Sequence, residues 1–333
     1  MQLAQQEKLL RGMMASIGVM PVVVLATVLL FGILEPSFVS SDNLFNLFRQ
    51  SSYLILICIA QFIILLTGGI DLSVGSTVSL ASVVCAIVMK YVVGATGAEV
   101  LGVTAGVAAG IAVGAGIGLV NGLGVATLNV TPFVMTLGTL SMALGLALFI
   151  SGGYSISGLP SLFGDLFAYN DFFGLPSPVV YTIGVITVIY LLLTWTTAGR
   201  YIYAIGSNMN AARLSGIRTR FQLVLAYVIA GGVVGVAAVL MTARTESGEA
   251  NLGGADMILR SVAGCIIGGV ALTGGKGLLR NVVLGAFFIT MLTNGMNLLR
   301  VNSYLQTFIM GLVLVAAIAL DQWRESRRGT KTV

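Results

Sequence analysis

Histidine is absent from the 333-residue sequence. That removes Ser-His-Asp and Cys-His nucleophilic catalysis and every His-ligated metal site. The three cysteines, Cys58, Cys85 and Cys265, are scattered inside apolar runs. They form no C-x-x-C pair and no disulfide framework, and read as small buried residues. The chemistry that remains belongs to acids, amides and hydroxyls set in apolar surroundings. Gly68-Gly69-Ile70-Asp71-Leu72-Ser73-Val74-Gly75-Ser76 interrupts a long apolar run with glycines, an aspartate and serines. An ionised group at membrane depth is costly and marks a candidate functional position. Exposed backbone there must face protein or water, not lipid. Two readings stay open. The segment is a broken helix that lines a pathway or forms a gate, or it is a tight cytoplasmic turn in which Asp71 or Ser73 caps the next helix.

Uncharged polar residues lie in or beside other apolar stretches: Gln61, Thr67, Asn121, Thr136, Ser141, Thr290, Thr293, Asn294 and Asn297. Asn294 and Asn297 share one helical face. Such groups suit a neutral polyhydroxylated solute. They equally suit hydrogen bonds between helices. Asp71, Ser73, Asn121, Asn294 and Asn297 are the candidate path or gate residues. No chain of acids crosses the apolar stretches, which argues against a proton-coupled carrier. Gly269 to Gly277 resembles a phosphate-binding loop but fails it. The spacing is off by one, and Gly277 replaces the Ser/Thr that would hold magnesium. The chain is expected to hydrolyse no ATP, to need no cofactor and to be no enzyme.

The elements that must position these residues follow from composition. Hydrophobic residues make up 57% of the chain and charged ones 9%, against about 25% charged in a soluble domain. That excludes a soluble globular protein, and the chain is too apolar for disorder. A membrane helix needs about 20 apolar residues. Ten stretches qualify or come close: 15–34, 52–67, 73–92, 101–120, 132–151, 177–197, 222–242, 258–273, 281–298 and 303–320. The chain reads as an all-α integral membrane protein with about ten transmembrane helices. It forms one domain over 1–333: a short N-terminal segment 1–14, the bundle 15–320 and a basic tail 321–333. The first stretch follows Lys8 and Arg11, but no A-x-A-like site follows it, so it reads as an uncleaved span.

With the N-terminus inside, the inner segments hold Lys8, Arg11, Arg200, Arg213, Arg218, Arg220, Lys276, Arg280, Arg324, Arg327, Arg328 and Lys331, 12 of the 17 basic residues. Arg49, Lys90, Arg244, Arg260 and Arg300 fall outside. The positive-inside rule then places both termini in the cytoplasm. The net charge of +5 reflects this inner belt and is no nucleic-acid footprint. Asn121-Gly122 and Asn294-Gly295 lie 173 positions apart, before the fifth and tenth stretches. A shift of five spans reverses orientation, which fits an inverted repeat of five helices. Gly102, Gly106, Gly110, Gly114, Gly118 and Gly122 recur at every fourth position. Small residues at that spacing let helix backbones approach closely. A face of hydrogens lining a narrow conduit is the other reading.

The inner loop 198–221 contains Asn208, Asn210, Ala211, Ala212, Arg213, Leu214, Ser215 and Gly216. This core reads as a short helix with Asn208 or Asn210 as cap and Gly216 as stop. It would offer small residues to a partner's groove, or lie as a basic helix on lipid headgroups.

GGIDLSVGS at 68–76, GLVNG at 118–122, TPFVMTLGT at 131–139, NAARLSGI at 210–217, GGVALTGGKG at 268–277 and NGMNLL at 294–299 follow in order. This series resembles the ribose/xylose/arabinose-type sugar permeases of bacterial ABC importers, from about residue 15 to 322. The resemblance implies a type II-importer-like fold and a second permease copy, as homodimer or heterodimer. It also implies an ABC ATPase subunit inside, a periplasmic solute-binding protein outside, and an inner-membrane location. The segment around 206–217 would be the ATPase-coupling segment. The outer segments 152–176 and 243–257 would receive the binding protein. Alternating access would then import a monosaccharide, with hydrolysis in the other subunit. Asn210 stands where the family often has an acid, and Met257-Ile258-Leu259-Arg260 where it often has a Glu-Leu pair. A self-sufficient carrier or channel for a small neutral solute is the competing class.

Overall fold

In the computed structural model, residues 19–329 are described. The predicted N-terminal segment 1–14, the first residues of the first stretch and the last four of the basic tail lie outside them. The helices are α1 (Val19–Leu34), α2 (Ser41–Leu66), α3 (Val74–Thr96), α4 (Glu99–Ala126), α5 (Pro132–Ser151), the short α6 (Ser161–Gly164), α7 (Ser177–Trp195), α8 (Thr197–Ser207), α9 (Met209–Leu214), α10 (Thr219–Thr245), α11 (Ala255–Ile267), α12 (Leu279–Leu298) and α13 (Ser303–Gly329). A hairpin of β1 (Asp171–Phe172) and β2 (Leu175–Pro176) precedes α7. Each predicted stretch contains a helix. Among the described residues, seven helices, α2, α3, α4, α5, α7, α10 and α12, are long and apolar enough to cross a membrane. This establishes an all-α membrane protein.

Several boundaries differ from expectation. α2 starts at Ser41 rather than 52, capped by Ser40, with Asp42 favourably placed in its first turn. Arg49 and Gln50 therefore sit in a helix and not in a loop. α4 runs to Ala126, so Asn121-Gly122 lies inside it; Asn294-Gly295 likewise lies inside α12. α11 stops at Ile267, six residues early, where Gly268 caps it and Gly269 takes a left-handed φ of 77°. Residues 197–207 form helix α8 where a loop was expected.

The core is built around α2 and α10. From Leu56 to Leu66 every α2 side chain is buried, so this helix is apolar on all sides and enclosed by protein. It packs against α7, α10, α11 and α12, while α3 packs against α4, α5 and α10. The outer faces of α5, α7 and α13 instead expose large apolar side chains such as Phe149, Trp195 and Phe308. On a membrane protein these faces meet lipid.

The glycine series winds around α4. At 3.6 residues per turn, each four-residue step drifts by roughly 40°. Gly102 and Gly106 accordingly face Met89 of α3, Gly110 faces both Cys85 of α3 and Val239 of α10, and Gly114, Gly118 and Gly122 face α10. A Cβ on Gly118 would overlap the Tyr227 carbonyl oxygen, whereas one on Gly116 would meet nothing within 4 Å. Gly118→Ala is expected to cost about 1–3 kcal/mol through overpacking, read as a lower thermal midpoint in detergent. Gly116→Ala should be neutral or slightly stabilising.

Candidate functional site

Two breaks in the helical pattern meet inside the molecule. The first follows α2. Gly68 turns the chain with a left-handed φ of 82°, and the Gly69 N–H donates to the Ile64 carbonyl at 3.2 Å. Residues 69–73 then run back along the end of α2. In the orientation that satisfies both of its polar atoms, the Gln61 amide donates to the Asp71 carbonyl at 3.0 Å and accepts from the Asp71 N–H at 3.2 Å. The second break, residues 246–254, follows α10 and runs along α3. The Glu249 N–H donates to Ser82 Oγ at 3.2 Å and the Gly253 N–H to Ser79 Oγ at 3.0 Å. These side chains supply the partners that extended backbone needs away from water.

The starts of α3 and α11 therefore touch. A Cβ on Gly75 would lie 2.9 Å from the Gly254 carbonyl oxygen, and one on Gly253 would overlap the Gly75 carbonyl. Only hydrogen fits at this crossing.

Three of the five candidate path residues gather beside it. Asp71 Oδ1 accepts from the Ser73 N–H at 2.7 Å and from Ser73 Oγ at 2.6 Å. Asn121 Nδ2 donates to Ser73 Oγ at 2.9 Å, and Thr139 Oγ1 donates to Asn121 Oδ1 at 2.7 Å. All four side chains are buried. The chain of bonds pins the first break to α4 and α5. Asp71 thus holds Ser73 in place, and Ser73 makes no side-chain capping bond to α3.

Asn294 and Asn297 lie elsewhere. Asn294 exchanges two 3.0 Å hydrogen bonds with Asn43, at the opposite end of α2. Asn43 and Gln61 are separated by about 27 Å along that helix. Asn297 is exposed and accepts from Gln306 Nε2 at 2.8 Å, joining α12 to α13.

A cavity of about 210 Å³ opens between α2, α10, α11 and α12, lined by Tyr53, Arg244, Asp256, Arg260, Thr290 and Thr293 among others. The Arg244 guanidinium lies over the Tyr53 ring, 5.4 Å from its centroid. Arg260 pairs with Asp256 at 2.8 Å. Sequence reasoning singled out the two threonines but missed the cavity. Its signal was Arg244 and Arg260, two of the five basic residues on the sparsely basic side.

Beyond the Leu66 end of α2, reached through α8, stands α9. Asn208, not Asn210, is its cap, accepting from the Ala211 N–H at 2.9 Å. Gly216 ends the turn with a left-handed φ of 83°. Ala212 is buried, while Asn210, Ala211, Arg213, Leu214 and Ser215 are exposed, Leu214 by 89%. α8 ties this helix to the first break. A Cβ on Gly206 would overlap the Leu66 carbonyl, which accepts from the Gly275 N–H at 2.9 Å. Tyr203 also donates to the Gly277 carbonyl at 3.0 Å.

The sequence that builds this site has relatives. Residues 43–318 match the family described as branched-chain amino acid transport system / permease component. The chain belongs to this permease family. It is 36% identical to the D-allose transport system permease protein of Escherichia coli K12 over 89% of this chain and 88% of that protein. It is also 36% identical to the ribose import permease protein of Bacillus subtilis, over 89% of each. The galactose/methyl galactoside import permease protein of Escherichia coli K12 is 34% identical over 88% of this chain and 90% of that protein. No solved structure matches the chain.

For the permease, Asn121→Leu should leave Ser73 and Thr139 without their partner. The expected loss is about 1–3 kcal/mol, measured as a lower unfolding midpoint in detergent. Thr139→Val in that background should add less than it costs alone, because the two share one bond.

Proposed function

We propose that this chain is the membrane-spanning subunit of an ATP-driven importer that moves a monosaccharide into the cytoplasm by alternating access. The carrying observation is the extended similarity to permeases named for allose, ribose and galactose import, at 34–36% identity over nearly the full length. The family description names amino acids instead, so leucine is the competing cargo to test.

The proposed chain crosses the membrane ten times, with both termini in the cytoplasm and two inverted halves. Exchanged packing supports the repeat. α3 packs on α4 and α5 as α11 packs on α12 and α13, and α10 packs on α4 and α3 as α2 packs on α12 and α11. Like residues recur at nearly one offset: Tyr53 and Tyr227 lie 174 positions apart, and Asn121 and Asn294 lie 173 apart. Both tyrosine hydroxyls are buried without a hydrogen-bond partner.

The proposed ATPase docks on α9, at its exposed Arg213 and Leu214, together with the exposed Phe221 at the start of α10. Its motion would pass through Gly206 and Gly275 to the end of α2 and the first break. The proposed binding protein sits on the opposite side. There the segments 152–176 and 243–257 are joined by paired hydrogen bonds of 2.9 and 3.0 Å between Ile156 and Gly248. Phe167 stacks on Tyr181 with ring centroids 5.0 Å apart, and Phe172 packs edge-on against the same ring. Phe173, at the hairpin turn, is 98% exposed and available to a partner. A second permease copy would complete the path.

Leu214→Asp tests the docking. Leu214 is exposed, so permease level in the membrane should be unchanged, while co-purification of the ATPase and sugar uptake should both fall at least about tenfold. Normal assembly and uptake would remove α9 from the coupling role.

A further inference from the structure

Tyr53 of α2 and Tyr227 of α10 have different surroundings. Tyr227 packs in the closed break: a Cβ on Gly69 would lie 3.0 Å from its hydroxyl. Tyr53 instead borders the 210 Å³ cavity. The side chain is only 6% exposed, and its hydroxyl has no hydrogen-bond partner. A buried unpaired hydroxyl is a standing cost that a bound polar group removes.

The rest of the lining has the same character. Thr290 and Thr293 donate to the carbonyls of Ala286 and Ile289 at 3.0 Å each, which leaves their oxygens free to accept. Arg260 and Asp256, paired at 2.8 Å, offer donors and an acceptor side by side. The cavity also adjoins the start of α11, the half-helix that follows the second break. Solute sites in transporters with inverted repeats form beside such discontinuous helices.

We propose that this cavity is where the solute rests within the permease, and that it takes a small neutral polyhydroxylated molecule by hydrogen bonds to Tyr53, Thr290, Asp256 and Arg260. The assignment rests on the sugar-importer reading. It relocates the solute from the Asp71–Ser73–Asn121 cluster, whose hydrogen bonds are satisfied internally, to the middle of α2, about 12 Å along that helix from Gln61.

The test uses the full importer in proteoliposomes, with D-ribose, D-allose, D-galactose and L-leucine as probes. Tyr53→Phe and Thr290→Val each remove one hydroxyl with little change of volume. Each should lower the saturating uptake rate about fivefold to tenfold, the scale of one lost hydrogen bond. The variants should also change the ratio of ribose to allose uptake, which a folding defect would not do. ATP hydrolysis stimulated by the loaded binding protein should persist. Thr290→Trp, which fills the cavity, should abolish uptake. Thr104→Val, on the exposed side of α4, should transport normally. Wild-type rates and ratios in both isosteric variants overturn the assignment even if Thr290→Trp is lost to misfolding. If the unaltered importer moves leucine alone or none of the sugars, the sugar reading falls and this site falls with it.

Discussion

A backbone that leaves the helix inside a membrane must find its hydrogen bonds within the protein. The centre of this molecule answers that constraint twice. The segment after α2 is held by the Gln61 amide and by Asp71, and the segment after α10 by Ser79 and Ser82. Both extended segments end where α3 and α11 begin, and those starts press together at Gly75 and Gly253. The surrounding helices are arranged to make that crossing possible. α2 and α10, the most enclosed of the long helices, flank it. α4 and α5 supply Asn121 and Thr139, which fix the first break.

Close approach of backbones is the second means of cohesion. Lipid tails are as apolar as leucine, so helices in a bilayer gain little from burying apolar surface against one another. They gain from contact density. The α4 glycines achieve it against two neighbours in turn, because the stripe rotates from α3 toward α10 along the helix. Gly264 and Gly285 make the equivalent approach between α11 and α12. Packing of this kind has few alternative fits, which favours rigid bodies that rock against one another over continuous deformation.

The same tightness joins distant parts. α9 is exposed and α8 is packed. Gly206 and Gly275 converge on the Leu66 carbonyl, the last residue of α2. Tyr53 and the cavity lie near the middle of α2, about 20 Å along it from Leu66. One helix thus reaches from the proposed ATPase dock to the proposed solute site, with the first break alongside its inner end. In the proposed coupling, a displacement at α9 would pass along α2 or into the 274–277 turn before α12.

Much of this was legible in the sequence. The 57% hydrophobic and 9% charged composition dictates membrane helices, because too few charges exist to cover a soluble surface. Glycines and an aspartate within an apolar run mark the first break. The four-residue glycine period marks a contact face, and Asn-Ala-Ala-Arg-Leu-Ser marks a short capped helix. These are local signals, set by transfer energies, backbone freedom and side-chain reach. Other features were decided only by tertiary structure. Asp71, Ser73 and Asn121 share one cluster while Asn294 bonds Asn43, because partners in a hydrogen bond are chosen by which helices lie side by side. The second break was hidden, since Gly248, Gly253 and Gly254 sit among polar residues that read as an ordinary loop. The cavity was hidden too. Its lining comes from four helices spread over more than 200 positions, and an empty space between helices is a property of packing that no single stretch of chain encodes.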